Sequence, residues 1–293
     1  MTFAHDLLAA VRDKSSRVCV GIDPMPERFP EAIRPTSDDP RAIVDSFYEF
    51  TTGVLDAVAD VAACVKFQSA YFERYHADGV EAYFELIGEA KQKGLLVIGD
   101  AKRGDIGATS AAYAAGHLGP HPADDADTPD ALTVNPMLGL DTLDSFGEVA
   151  ADHGKGLFVL VRTSNPGSAD LQDVVLQDGR TWSEMLADEL FKMTAGNSED
   201  GLSFINAVVG ATQPHTMASL RKRLPRSFFL LPGYGTQGGT AETAKAAFAE
   251  GTPGAIVSAS RSVLYPTERS GDWKQSIAHA AQAMRRDLAS VVG

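Results

Sequence analysis

Apolar, β-branched and aromatic residues cluster into eight short runs along the chain. They are RVCVGID (17–23), AACVKFQ (62–68), LLVIGDAK (95–102), ALTVNP (131–136), GLFVLVRTS (156–164), INAVVGAT (205–212), FFLLPG (228–233) and GAIVSAS (254–260). The apolar positions follow one another instead of alternating with polar ones. That is the pattern of strands covered on both faces, as in a parallel sheet. Between most of these runs lie stretches with apolar residues at helical spacing, such as SFYEFTTGVLDAVADV (46–61) and GVEAYFELIGEAKQKG (79–94). The second ends at Gly94, a residue suited to a helix C-cap. Eight β units alternating with helices predict an α/β fold, a single-domain (β/α)8 TIM barrel over residues 1–293. A doubly wound open sheet is the alternative that pattern alone leaves open. LAAVRDKS (8–15) predicts a helix across the bottom of the barrel. Two segments read as surface decoration. GPHPADDADTPD (119–130) has the Pro- and Asp-rich composition of a solvated loop. Residues 168–200 are longer than one connecting helix requires, with a helix predicted at TWSEMLADELFKM (181–193). No repeat of fixed period and no dividing linker is visible.

Composition narrows the function classes. A length of 293 residues is ordinary for one barrel, and 44% hydrophobic residues suffice for a sizeable core. The net charge is −13 with no long Lys/Arg run, which excludes a basic nucleic-acid footprint. An anion would have to be held by a local group of donors. Cys19 and Cys64 both sit in apolar runs and read as buried, reduced thiols, with no structural disulfide expected. The N-terminal stretch has acidic residues and no apolar core of a secretory signal. No run approaches the ~18 apolar residues of a membrane span. A soluble, cytoplasmic protein with no membrane partner is the expectation.

The stretch richest in chemistry is GDAKRGDIGAT (99–109), at the C-terminal end of the third run, where barrel enzymes carry catalytic groups. Asp100 and Lys102 are two apart, so an extended strand projects them to one side. Asp105 follows after Arg103-Gly104, a pair suited to a turn. Lys66 ends the neighbouring second run and can reach Asp100. The expected array is Lys66–Asp100–Lys102–Asp105, in which flanking carboxylates keep each lysine an ammonium. Lys102 would then deliver a proton. A solvated salt-bridge cluster is the bland alternative, and the density of charge argues against it. A phosphate site is expected at the far side. LLPGYGTQGG (230–239) brings Gly235 and Gln237, and SASRS (258–262) brings Arg261 to the start of the last helical segment. Asp23, Asn135, Ser164 and Asn165 end other runs and could meet a ligand, although each also suits a turn or helix cap.

These motifs together resemble the orotidine 5′-phosphate decarboxylase family, in particular its longer bacterial subgroup. GIDP (21–24), VKFQ (65–68), Asp-x-Lys-x-x-Asp-Ile (100–106), NPMLG (135–139), RTSNPGS (162–168), LPGYGTQGG (231–239) and SASR (258–261) occur in the expected order over nearly the whole chain. The resemblance implies decarboxylation of orotidine 5′-monophosphate to UMP in pyrimidine biosynthesis, with no cofactor and no metal. It implies that Lys66, Asp100, Lys102 and Asp105 form the catalytic array, with Lys102 protonating C6. It implies a homodimer in which Asp105 crosses to the partner's site. Asp23 and Thr109 would hold the ribose end, Ser164 the pyrimidine, and Gln237 and Arg261 the phosphate. The chain departs from shorter family members around RTSNPGS and residues 168–200. Three other readings compete: a Mg²⁺-dependent sugar-phosphate lyase or aldolase on a related barrel, a Schiff-base aldolase, and a nucleotide sensor without catalysis.

Overall fold

The computed structural model describes residues 2–120, 128–194, 201–210, 214–235, 238–249, 251–267 and 271–291. Each of the eight apolar runs forms one strand. The strands are β1 (Val18–Ile22), β2 (Cys64–Gln68), β3 (Leu96–Arg103), β4 (Ala131–Val134), β5 (Gly156–Arg162), β6 (Ile205–Val209), β7 (Phe229–Leu231) and β8 (Ala255–Ala259). They pair in parallel in chain order, and β8 closes back onto β1. This is a TIM barrel, and the open doubly wound sheet is excluded. Helices such as Pro40–Val58 and His76–Gln92 cover the outside through their apolar faces.

Inside the barrel, Cys19, Cys64, Ile98, Phe158, Val208 and Ile256 belong to a second apolar cluster. Side chains fill the interior, so it is a core and not a pore. Cys19 and Cys64 are buried free thiols on register-paired positions of β1 and β2. Burial pushes the Cys64 thiol well above its ordinary value.

The bottom of the barrel is closed by a helix at Phe3–Asp13, five residues earlier than the sequence suggests. Its buried positions Phe3, Ala4, Leu7 and Val11 keep helical spacing, so the amphipathic pattern begins before LAAV. Phe3 packs edge-on against Phe158 at 5.9 Å. A Cβ on Gly156 would come within 2.4 Å of the Phe3 ring, which explains the glycine at the start of β5.

The Pro/Asp-rich loop ends differently from a solvated one. Thr128 and Pro129 are buried, and Asp130 accepts a 2.8 Å hydrogen bond from the Val97 amide. Residues 121–127 of that loop lie outside the described residues. Among the described residues, no helix is long and apolar enough to cross a membrane.

Candidate active site

The C-terminal ends of the strands surround a pocket of about 660 Å³. Its chemistry centres on Asp100, buried near the end of β3. One carboxylate oxygen, Oδ2, accepts from Lys66 Nζ at 2.7 Å. The other, Oδ1, accepts from Lys102 Nζ at 2.6 Å and from the Thr133 hydroxyl at 2.9 Å. The pairing register explains the first contact: β2 and β3 run side by side with Lys66 opposite Ile98 and Gln68 opposite Asp100. Lys66 is itself buried, whereas the Lys102 side chain is 46% exposed and faces the pocket mouth.

Burial alone would raise the Asp100 pKa, but the two ammonium groups outweigh it and hold the carboxyl well below the carboxylate range. Burial would likewise lower the Lys66 pKa. The charges of Asp100 and Asp23 reverse that and hold Lys66 above the ordinary lysine value. Both partners therefore stay ionised in the folded protein. Removing Asp100 would take from the buried Lys66 ammonium its ion-pair partner, which typically costs about 3–5 kcal/mol.

Lys102 reaches Asp100 by a different route from plain strand alternation. The β3–β4 register shifts between Gly99 and Arg103, and Lys102 adopts φ +50°. The bulge re-aims the side chain, as bulges beside active sites commonly do. Asp105 does not join the array within this chain. Its carboxylate accepts 2.8 Å from its neighbour's amide, Ile106 N, and it is not among the pocket-lining residues. Gly104, just before it, permits a close approach, since a Cβ there would sit 2.6 Å from the Asn135 carbonyl. The chain passes hard against the end of β4 there and turns outward. Thr109 follows it onto the exposed side of the helix Gly107–Leu118, also away from the pocket.

The remaining expected residues divide. Asp23, Ser164, Asn165 and Arg261 line the same pocket as Lys66, Asp100 and Lys102. The Asp23 Oδ1 atom is buried and accepts no hydrogen bond from the described residues. Asn135 also lines the pocket, and its Oδ1 caps the Met137 amide at 3.0 Å, so the turn reading holds for it too. Gly233 and Tyr234 border the pocket, while Gly235, at φ +75°, lies just beyond them beside Ser262. Gln237 lies outside the described residues.

Residues 168–200 are not surface decoration at their start. Ser168, Leu171, Gln172 and Trp182 form part of the pocket wall. The Gln172 side-chain oxygen accepts 2.8 Å from the Thr163 amide, which draws the segment back onto the end of β5. The predicted helix is present at Trp182–Thr194. Sequence reasoning passed over Thr133 as well. It precedes Asn135 by two, so a chain running extended past the end of β4 puts both on one side, a signal the spacing carries. Among the described residues, no group of three or more His, Cys, Asp or Glu could hold a metal ion.

A closed parallel barrel whose mouth holds two ammonium groups clamped on one buried carboxylate has the architecture of a TIM-barrel enzyme with a charged pocket. A profile of the "Orotidine 5'-phosphate decarboxylase / HUMPS family" matches residues 16–274, and the chain belongs to that family. It is 38% identical over 300 residues to the orotidine 5′-phosphate decarboxylase of Rhodopirellula baltica, covering 98% of this chain and 99% of the relative. A solved structure from Streptomyces avermitilis superposes with TM-score 0.82 at 34% identity, covering 99% of this chain and 96% of that one. The structure of Leishmania donovani OMP decarboxylase superposes with TM-score 0.76 at 30% identity, covering 99% and 98%. With this membership goes decarboxylation of orotidine 5′-monophosphate to UMP, a step of pyrimidine biosynthesis.

Proposed function

We propose that the chain decarboxylates orotidine 5′-monophosphate through electrostatic preorganisation, with Lys102 as proton donor to C6. The observation that carries this is the clamping of Asp100 by Lys66 and Lys102 through separate oxygens. When the C6–carboxylate bond breaks, its electron pair stays on C6 and CO2 leaves. That carbanion has no adjacent carbonyl to delocalise it. A fixed ammonium in a low-dielectric pocket stabilises the charge as it develops, without reorganisation. A proton then passes from Lys102 Nζ to C6, and solvent reprotonates the amine. Lys66 and Asp100 hold that ammonium in place. No cofactor takes part in this route. Lys66 sits buried against a carboxylate that holds its nitrogen protonated and disfavours a Schiff base there.

The far wall holds the rest of the nucleotide. Arg261 and the backbone around Gly233–Gly235, with Gln237, grip the phosphate. Asp23, on the pocket wall, takes a ribose hydroxyl. Ser164 and Asn165 meet the pyrimidine edge. Phosphate binding far from C6 orients the ring for reaction. The chain acts as a cytoplasmic homodimer and as one barrel domain over 1–293. In that dimer Asp105 and Thr109 enter the partner's site. Exposed Ile106, Met137 and Leu138 beside them provide apolar surface for such a contact.

The test is addition of orotidine 5′-monophosphate to purified protein in EDTA, following loss of orotate absorbance. Lys102→Ala should abolish turnover while UMP still binds. Near-normal turnover by that variant would refute the assignment, and turnover that needs added Mg²⁺ would favour a metal-dependent lyase.

A further inference from the structure

We propose that Thr133 is a positioning residue that fixes where the Lys102 ammonium stands in the pocket. This rests on the reading of Lys102 as the proton donor.

Thr133 lies in β4, 1% exposed, with its side chain at the pocket. A threonine hydroxyl has one proton to give and lone pairs to receive. Here the proton goes to Asp100 Oδ1 at 2.9 Å, and a lone pair receives the Lys102 backbone N–H at 3.0 Å. Asp100 Oδ1 is also the atom that holds Lys102 Nζ, at 2.6 Å. One hydroxyl thus touches Lys102 at both ends of its reach: directly at the backbone, and through the carboxylate at the ammonium.

The backbone contact matters because Lys102 is strained. A non-glycine residue at φ +50° persists only where its surroundings impose it. The register shift between Gly99 and Arg103 takes the Lys102 amide out of the regular β3–β4 ladder. Pairing resumes beyond the bulge with Arg103 opposite Val134 and with the Asn135 amide on the Arg103 carbonyl at 2.8 Å. At the bulge itself the Thr133 side chain supplies the acceptor that a backbone carbonyl would give. Valine has nearly the same shape and neither function. In its place the Lys102 amide would lose its acceptor, and Asp100 Oδ1 would lose the donor that shares it with the ammonium. Serine keeps both.

The experiment compares Thr133→Val and Thr133→Ser in the full chain. It measures kcat and KM for orotidine 5′-monophosphate, the Kd of UMP, and the unfolding midpoint. A misplacement of the reacting group costs on the order of 10²-fold. Thr133→Val should therefore lower kcat by about 10- to 100-fold, while KM and the UMP Kd stay within about threefold. Thr133→Ser should recover most of the lost kcat. A valine variant within twofold of wild-type kcat, equal losses in valine and serine, or a change confined to KM would overturn the proposal. If the valine variant does not fold, Thr133→Ala against Thr133→Ser makes the same comparison, one hydroxyl apart. Absence of turnover in the wild type would sink the functional reading instead. The positioning claim would then be read from a crystal structure of the valine variant. Lys102 keeping its positive φ and its contact with Asp100 would overturn it.

Discussion

Arg162 and Asp173 face each other through two parallel hydrogen bonds, Nε to Oδ1 at 2.8 Å and Nη2 to Oδ2 at 2.9 Å. Arg162 is the buried last residue of β5, and Asp173 lies in the segment that follows. The pair closes a loop that contains Ser164 and Asn165. Two more bonds tighten it: Arg162 Nη1 donates to the Thr163 carbonyl at 2.6 Å and also to the Ser168 hydroxyl. The guanidinium is therefore the knot from which the ligand-facing loop hangs, and its bidentate geometry sets orientation as well as energy.

Asp173→Asn keeps the size and loses the charge. A charge-assisted hydrogen bond is worth roughly 1.5–3 kcal/mol, and Asp173 is partly solvated, so a loss near the low end is expected. If the loop meets the pyrimidine as proposed, and not the breaking bond, the loss should appear in binding. KM and the UMP Kd should rise about five- to thirtyfold, with kcat changed less than about threefold. Steady-state kinetics with a UMP titration checks this. A drop in kcat at constant KM would show that the loop acts on the chemical step instead.

The clamp shows where the sequence was readable and where it was not. The barrel was legible because two-sided burial leaves continuous apolar runs, and all eight became strands. The Lys66–Asp100 contact was legible because consecutive strands of a barrel are neighbours. The Arg162–Asp173 pair joins residues 11 apart through an irregular turn, for which no periodicity exists. The bulge at Lys102 was invisible for a similar reason: Gly99 to Lys102 reads as plain strand, and only the register with β4 reveals the shift. Trp182 and Leu171 looked like parts of an insertion, since nothing in their spacing says that the insertion folds back over the pocket. Asp105 was placed in the array by motif, yet its own chain turns it away. A residue that served a second subunit would leave no trace in the geometry of one chain.

His117 offers a pH test away from the pocket. Its Nε2 accepts from Arg103 Nε at 3.2 Å, so the ring is neutral. Burial, with the Arg103 charge beside it, pushes its pKa down to about 4, and Glu73 opposes this weakly. The unfolded chain titrates near 6.5 and so binds more protons between those values. The contribution to stability is present in full above about pH 6.5 and is lost as pH falls toward 4. Between pH 7.5 and pH 5 the loss should amount to about 1–2 kcal/mol. His117→Gln can still accept from Arg103 and does not titrate, so it should lack that component. Urea unfolding of both proteins at the two pH values measures the difference. Parallel behaviour of variant and wild type would show that His117 is not the group responsible.

Asp105 yields the sharpest test of assembly. Among the described residues its carboxylate bonds to the Ile106 amide and forms no ion pair with Lys102. If it completes the partner's array, Lys102→Ala and Asp105→Ala should each be nearly inactive alone. Mixing them after denaturation and refolding forms heterodimers by chance. In each heterodimer one site receives an intact Lys102 from its own chain and an intact Asp105 from the other. Half the dimers would be mixed, with one good site in two, so activity should return to about a quarter of the wild-type value. Exposed Ile106 and Leu138 supply the apolar surface on which the copies would meet. A mixture no more active than its components, under conditions where wild type refolds fully, would show that Asp105 serves its own chain or no site at all. The quarter-level recovery has no source other than a residue shared between subunits, because neither variant carries a complete array.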